Sequence, residues 1–559
     1  MKKIISIFSF LLFLQFAGAQ TSKTYVVVFK DKMDSPFSIF QPEKYLSKKS
    51  ILRRQKQHIA ITEKDLPVNM AYILQVKNIG VNVLNASKWM NAVTISTNDE
   101  TKISTIKELS CVAGIVLTSS PALDRKPSAK FDFESTTQPL SENLSQEKAV
   151  SSVLNYGPSF FQANQIGVDC MHDMGYMGQG ITVAVLDAGF FDANILPAFD
   201  SLRINNQLLG CRDFVTGDTL VFEDFPHGMN VLSCMGGNLP GELVGTAPKA
   251  KYWLLRTEDA FTETLQEEVN WLVGAEFADS VGADVINSSL GYSTFDGGIG
   301  DHTYADMDGN TTIITNAADW AASVGIFVTT SAGNAGGPPW FKITAPADAD
   351  SALTVGAVDS AGFIAGFSSR GLTSDGRIKP NVCARGVQAV IAANSGGITG
   401  ASGTSFSSPI TAGAVACLWQ ANPSATNMQL LSAIEQSASQ YTSPDSIYGY
   451  GIPNFCKADS ILSFILSVND IQGNQNSLTV YPNPFHSNFT IEYYASNKEV
   501  VLVELFDVTG KKVISQQQSV LGNTKNSFTL SGVAILSKGI YTLRIVSANE
   551  TQYSKIIKQ

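Results

Sequence analysis

At 559 residues the chain is too long for one hydrophobic core and should divide into three or four units. Apolar residues make up 44% and charged residues 16%, the profile of folded globular material rather than of disorder. The net charge of -10 and a pI near 5.1 argue against nucleic acid and anionic membranes as partners, because both need a basic footprint.

The first element is an address. Lys2 and Lys3 precede the apolar run Ile4 to Phe16 and the small residues Ala17-Gly18-Ala19, the pattern of a secretory signal peptide over residues 1–19. The run is too short for a membrane anchor, and no later stretch reaches the roughly 18 apolar residues that a spanning helix needs. No integral span is expected. Residues 20–120 open with the strand pattern Tyr25-Val26-Val27-Val28-Phe29 and have a second alternating run at Ala92-Val93-Thr94-Ile95. Between them lies a basic amphipathic stretch with Lys48, Lys49, Arg53, Arg54 and Lys56. A small α+β unit is expected, with the basic stretch as a solvated helix face. Residues 121–155 shift to Ser, Thr, Gln, Glu and Pro, which reads as a linker and a natural place for proteolysis.

From 156 to 466 the pattern alternates strand, loop and helix. Ile181 to Leu186 is a near-continuous β-branched run, as in a buried parallel strand. Thr264 to Val281 has helical spacing, followed by strand-like Ala283-Asp284-Val285-Ile286 and Gly325-Ile326-Phe327-Val328-Thr329. This alternation predicts an α/β domain with a doubly wound, mostly parallel sheet. Residues 477–559 differ, with short alternating strands such as Val500 to Phe506 and Tyr541 to Val546 between turn residues, and predict a small all-β sandwich. None of the seven cysteines forms a CxxC pair, so no zinc or redox signature is present. Export would permit disulfides, but the sequence does not pair them, and buried small hydrophobes are the competing reading.

The candidates for chemistry lie between 156 and 466. This segment has three histidines, His172, His227 and His302, and histidine is the usual general base near neutral pH. His227 opens His227-Gly228-Met229-Asn230-Val231. Asp187 ends the Ile181–Leu186 strand and precedes Ala188-Gly189; the carboxyl end of a buried parallel strand is where doubly wound sheets place their sites. Ser405 lies in Gly403-Thr404-Ser405-Phe406-Ser407-Ser408-Pro409 ahead of an apolar helix, where free N–H groups and the helix dipole favour developing negative charge. Ser402, Ser407 and Ser408 are nearby decoys. Asn334, in Ser331-Ala332-Gly333-Asn334, offers an amide donor of the kind an oxyanion hole uses. Taken singly, each has a structural explanation as a cap, a loop residue or a core polar group.

Together they are specific. Asp187-Ala188-Gly189, His227-Gly228, Ser331-Ala332-Gly333-Asn334 and Gly403-Thr404-Ser405 occur in the order Asp, His, Ser. The chain resembles the subtilases over roughly Tyr156 to Leu466; the order does not fit chymotrypsin-like enzymes or α/β-hydrolases, and no G-x-S-x-G elbow is present. The resemblance implies a secreted serine endopeptidase made as a zymogen. Ser405 would be its nucleophile, His227 its general base and acid, Asp187 the residue orienting the histidine, and Asn334 an oxyanion donor. It further implies that Ser289-Leu290-Gly291 pairs with the substrate as an added strand, and that with Ser331, Ala332 and Gly333 it walls the pocket for the residue before the cut. Two departures stand out. Ala188 occupies a position where the family commonly has Ser or Thr, and Asn230 one where it commonly has a second His.

The flanks resemble the same kind of protein. Leu46-Ser47-Lys48-Lys49 through Arg53-Arg54, and Ser87-Lys88-Trp89-Met90-Asn91-Ala92-Val93, look like propeptides of exported subtilases from Bacteroidetes-type bacteria. Val480-Tyr481-Pro482-Asn483-Pro484-Phe485, Gly510-Lys511-Lys512-Val513, Gly539-Ile540-Tyr541 and the basic end Lys555-Ile556-Ile557-Lys558 resemble a type IX secretion sorting domain. The implied partners are protein or peptide substrates, the chain's own propeptide and the type IX machinery. The implied location is outside the cell or on its surface, reached through the periplasm. No cofactor is required for such chemistry. Calcium, which many subtilases use for stability, has candidate ligands in Asp306, Asp308 and Asn310, although the twelve-residue EF-hand pattern is not completed because Ala317 stands at its last position. The alternative reading is a catalytically impaired scaffold displayed as a binding protein.

Overall fold

The computed structural model describes residues 22–120, 131, 152–473, 478–495, 497–508, 510–547 and 551–559. The expected signal peptide lies outside the described residues, as does most of the 121–155 segment. The chain separates into two compact units, Met1–Asp459 and Ser460–Gln559.

The first unit begins with a four-stranded antiparallel sheet in the order Asn82–Ser87, Ala92–Ser96, Thr24–Phe29, Val112–Ser119. Alternation along Thr24–Phe29 gives the sheet two apolar faces. Tyr25, Val27 and Phe29 pack with Val76, Ile95 and Ile106 in the small domain's own core, while Val26 packs with Val269 of the helix Leu265–Val281.

The basic stretch forms the helix Lys48–Lys56, but not as a solvated face. Arg53 and Arg54 are only 4% and 1% exposed. Both guanidinium groups donate to Asp279, at 2.5 Å from Arg53 and 2.7 Å from Arg54, and Arg54 also donates to Asp65. Lys88 reaches the second oxygen of Asp279 at 2.7 Å. The backbone N–H groups of Lys88 and Trp89 and the hydroxyl of Ser87 donate to Glu276. Helical spacing shows which side of a helix carries charge. It does not show that a carboxylate on a distant helix is waiting for it.

The centre of this unit is a seven-stranded parallel sheet in the order Val382–Arg385, Ala352–Val358, Phe327–Ser331, Val285–Ser288, Thr182–Asp187, Lys251–Arg256, Leu208–Asp213. Helices cover it, as the burial of every residue of Thr182–Asp187, Val285–Ser288 and Phe327–Ser331 requires. Strand order reverses at Thr182–Asp187. The following two strands lie on one side of it, and later ones build outward on the other. The carboxyl end of that strand is thus the topological switch point where such sheets place ligands.

In the second unit, a three-stranded sheet (Leu478–Tyr481, Thr490–Ala495, Thr524–Thr529) and a four-stranded sheet (Lys512–Val520, Glu499–Asp507, Gly539–Val546, Thr551–Lys558) are antiparallel throughout. Their apolar faces share one core around Phe485, Ile491, Val503 and Leu543, as expected for a small sandwich.

Candidate active site

Three elements converge at the switch point. Asp187 is the last residue of Thr182–Asp187, His227 the first of the helix His227–Gly236, and Ser405 the second of the helix Thr404–Ala421. His227 Nδ1 and Asp187 Oδ1 are 2.7 Å apart, and the same oxygen accepts the Ala188 N–H at 2.8 Å. Gly228 permits this approach, since a Cβ there would lie 2.8 Å from Asp187 Cβ. The carboxylate is fully buried, and its Oδ2 has no hydrogen-bond partner among the described residues. Burial pushes the Asp187 carboxyl above its ordinary range, and His227 only partly opposes that.

Ser405 is held from two sides. Pro409 lies inside its helix and has no N–H, so the Ser405 carbonyl loses its intrahelical donor. The hydroxyl of Ser289 donates to that carbonyl at 2.9 Å, and Ser405 Oγ lies 3.2 Å from the Ser289 carbonyl. The decoy serines are committed elsewhere. Ser407 donates to Thr404 O, Ser408 donates to Asn287 Oδ1, and Ser402 accepts from Gln388 N. Asn334 Oδ1 accepts both the N–H and the hydroxyl of Thr404 at 2.9 Å. With that oxygen taken, the amide NH2 is the end able to donate. Ser331 and Ala332 are buried at the end of Phe327–Ser331, and Leu290 is buried beside Ser289, leaving Gly291 exposed. The other histidines of this domain are elsewhere: His172 contacts Tyr156 and Thr246 O, and burial lowers its pKa to about 4, while His302 pairs with Glu268.

With this geometry in view, comparison with known proteins is decisive. Residues 178–451 match the Subtilase family. Subtilisin from Bacillus pumilus is 31% identical over 296 residues, covering 52% of this chain and 95% of the relative. Subtilisin E from Bacillus subtilis is likewise 31% identical over 296 residues, which is 68% of its length. The chain belongs to the subtilase family. The mouse membrane-bound transcription factor site-1 protease is a more distant relative, 28% identical over 263 residues, which is 46% of this chain and 22% of that protein. Residues 24–136 match the peptidase S8 propeptide domain of Bacteroidota, and residues 479–559 match a secretion system C-terminal sorting domain. This subtilase is therefore a serine endopeptidase made with a propeptide and directed by type IX secretion to the cell surface or beyond. No helix among the described residues is long and apolar enough to cross a membrane.

Subtilase catalysis needs no cofactor. For calcium, Asp306 caps its own turn through Thr303, and Asp308 accepts from the N–H groups of Asn310 and Thr311. Both carboxylates thus accept hydrogen bonds within their own loop, and the Asn310 side-chain amide donates to Asp308 O. Among the described residues, the fold also brings together the carboxylates of Glu258, Glu263 and Glu267, whose oxygens all lie within 4.8 Å of one another and could share one cation. Their spacing in sequence gave no metal signature.

One further residue escaped sequence reasoning. Phe131, within the span matched by the propeptide family, lies over the ring of His227, centroid to centroid 4.5 Å, and 5.1 Å from that of Phe225. It forms a wall of a cleft of about 580 Å³ with Phe225, His227, Asn230, Ile391 and Phe406. Asn230, one of the two departures, donates to Ala392 O at 3.2 Å and so ties the helix of His227 to the hairpin Ala389–Ala401 beside the cleft. Of the seven cysteines, Cys170 and Cys456 form a disulfide with Cα atoms 6.2 Å apart, and Cys111, Cys234, Cys383 and Cys417 are buried thiols.

Proposed function

We propose that Asp187, His227 and Ser405 hydrolyse peptide bonds through an acyl-enzyme. The observation that carries this reading is the 2.7 Å contact between His227 Nδ1 and Asp187 Oδ1 at the switch point of the sheet. That contact fixes the imidazole tautomer and leaves Nε2 as the atom to take the Ser405 proton and later give it to the leaving amine. Asp187 stays charged and stabilises the imidazolium that forms in between. Ser405 Oγ attacks the scissile carbonyl, and water releases the acyl group by the same steps in reverse. The oxyanion is held by the Asn334 amide and by the N–H of Ser405, at a helix start where the dipole favours negative charge. Loss of such a donor costs on the order of 100- to 1000-fold in turnover, a figure that comes from subtilisin itself. On the acyl side a substrate would add as a strand to Ser289-Leu290-Gly291, which with Ser331-Ala332-Gly333 would wall the pocket for the residue before the cut.

The rest of the chain acts on when and where this happens. Residues 1–19 would be removed on export, residues 20–120 would cover the enzyme until cleavage in the 121–155 segment, and residues 477–559 would engage the type IX machinery. A structural calcium ion has no part in the chemistry; its presence is tested by whether a chelator lowers Tm. The central test is hydrolysis of casein by the processed enzyme and its Ser405→Ala variant, with a fluorophosphonate label in parallel. Activity and labelling are expected in the parent and neither in the folded variant. A parent freed of its N-terminal segment that neither cleaves nor labels would mean an impaired, surface-displayed scaffold.

A further inference from the structure

Arg256 ends the strand Lys251–Arg256, directly beside Asp187 in the register of the sheet. The two main chains are tied at this level, because the Thr257 N–H donates to the Asp187 carbonyl at 3.0 Å. Arg256 is only 7% exposed, so its side chain turns inward rather than out to water. Its Nε donates to the Ala188 carbonyl at 3.2 Å. Its Nη1 lies 2.8 Å from Asp213 Oδ2 and 3.2 Å from Asp224 Oδ1.

These contacts join the two approaches to the proposed catalytic pair. Ala188 follows Asp187, and Asp224 stands three residues before His227. The two segments run against each other. Phe190 N–H donates to Val221 O at 2.8 Å, and Asp192 N–H donates to Phe222 O at 3.0 Å. A Cβ on Gly189 would lie 2.6 Å from Asp224 Cβ. Asp213 anchors the guanidinium to the sheet: it ends the strand Leu208–Asp213, and its other oxygen accepts the N–H groups of Val215 and Thr216. Two carboxylates brought to one place repel each other unless a cation lies between them. Burial holds the Asp224 carboxyl above its ordinary range, Arg256 opposes that, and Asp213, Asp218 and Asp259 add to it. A planar guanidinium can serve the carbonyl with one N–H and the carboxylates with others; a single ammonium has no such fork.

We infer that Arg256 is a positioning residue of this peptidase: it gathers the Ala188 carbonyl, Asp213 and Asp224 on one guanidinium and so sets the distance across which Asp187 and His227 meet. The inference rests on the proposed acyl-enzyme site. On that reading Arg256 acts on kcat rather than on KM. The Asp187–His227 contact is used in the chemical steps, whereas the substrate segment at Ser289 follows a strand on the opposite side of Thr182–Asp187 from Arg256.

The test uses the processed enzyme, with variants that do not mature themselves cut by bead-bound parent. Arg256→Met keeps a long side chain and removes the fork. Its kcat is expected to fall by about 10²-fold, the cost of a misplacement near 1 Å, with KM changed by less than about 3-fold. Arg256→Lys keeps the charge and should recover part of that loss, to between about 3- and 10-fold below the parent, and serves if the methionine variant fails to fold. By proton NMR, the low-field resonance of the proton between His227 Nδ1 and Asp187 should shift in both variants, which a residue that only stabilised the fold would not require. A folded Met or Lys variant with the parental kcat overturns the inference, as does a loss confined to KM, or a lowered kcat with that resonance unmoved. Fluorophosphonate labelling of Ser405 in the parent tests the site itself. If the label fails, the acyl-enzyme reading has failed; if it succeeds and the folded variants keep the parental kcat, only the role of Arg256 has.

Discussion

Asp187 and Asp279 are both fully buried, and the chain surrounds them in opposite ways. Asp187 has one backbone N–H and one imidazole, and burial holds its carboxyl above the usual range. At Asp279 burial pushes in the same direction, but Lys88, Arg53 and Arg54 together outweigh it and hold the carboxyl well below the usual range. The first arrangement suits a group that must respond as a proton moves on its neighbour. The second suits a clamp, because three cations on one carboxylate leave little freedom to either side. The pro-segment supplies all three cations, and the enzyme supplies the carboxylate, from the helix Leu265–Val281.

The comparison breaks most sharply if each aspartate is replaced by asparagine. Asp187→Asn keeps the shape but favours the wrong imidazole tautomer, and kcat of the processed enzyme should fall by about 10⁴-fold, as measured for serine peptidases of both major types. Asp279→Asn should leave that kcat unchanged. It strips the charge facing Arg53, Arg54 and Lys88, and breaking one side of such a buried pair costs about 3–5 kcal/mol. Inhibition of the processed enzyme by added pro-segment should weaken by roughly 10²- to 10⁴-fold. The pH dependence carries a sign. A carboxylate whose folded pKa is depressed contributes docking stability that is fully present above about pH 4 and is lost only as the pH falls through the folded value. The Asp279 contribution should thus persist in mild acid. A pro-segment that binds the Asn variant as tightly as the parent would show that the cluster adds nothing net to docking.

These two sites were not equally legible in the sequence. The proposed catalytic one was, because Asp187, His227 and Ser405 each sit at the end of an element whose pattern is local: a β-branched strand, and helices announced by His-Gly and by Ser-Pro before an apolar run. Even the support from Ser289 had a local signal in Pro409, whose missing N–H frees the Ser405 carbonyl. The docking site was not. Arg53 and Asp279 are separated by 226 residues, and a basic helix has the same composition whether water or a carboxylate faces it. The same limit applies to cation ligands. Asp306, Asp308 and Asn310 are legible as oxygen ligands in one dimension, whereas Glu258, Glu263 and Glu267, which the fold gathers around a helix start, have no such pattern in the sequence.

Phe131 offers a smaller effect at the boundary between the two regions. Its ring covers His227 in the unprocessed chain, and aromatic contacts of this kind contribute about 0.5–1.5 kcal/mol beyond their buried area. Phe131→Ala should raise the rate at which a small fluorophosphonate labels Ser405 in the unprocessed, full-length protein, by about 3- to 10-fold. An unchanged rate would mean that the ring does not hinder approach to the serine and that latency rests on the charged clamp alone.

The smallest expected effect concerns the other face of Asp187. Its Oδ2 is buried without a partner among the described residues, and the next residue in the chain is the buried Ala188, where the family commonly carries a hydroxyl. Holding Asp187 ionised there works against its burial. A group with a raised folded pKa contributes stability below its unfolded value and loses it as the pH rises through the folded one, so at neutral pH this carboxylate is a cost. Ala188→Ser brings a donor beside Oδ2 and favours the charged form. The Asp187–His227 pair should then take up its proton at lower pH, moving the acidic limb of kcat/KM down, and Tm at neutral pH should rise. A limb that moves while Tm falls would mean that the hydroxyl reaches the carboxylate but overfills a site packed around a methyl group. A limb that stays in place would mean that Oδ2 is not what limits the charge on Asp187, and that the contrast with Asp279 lies in the number of cations alone.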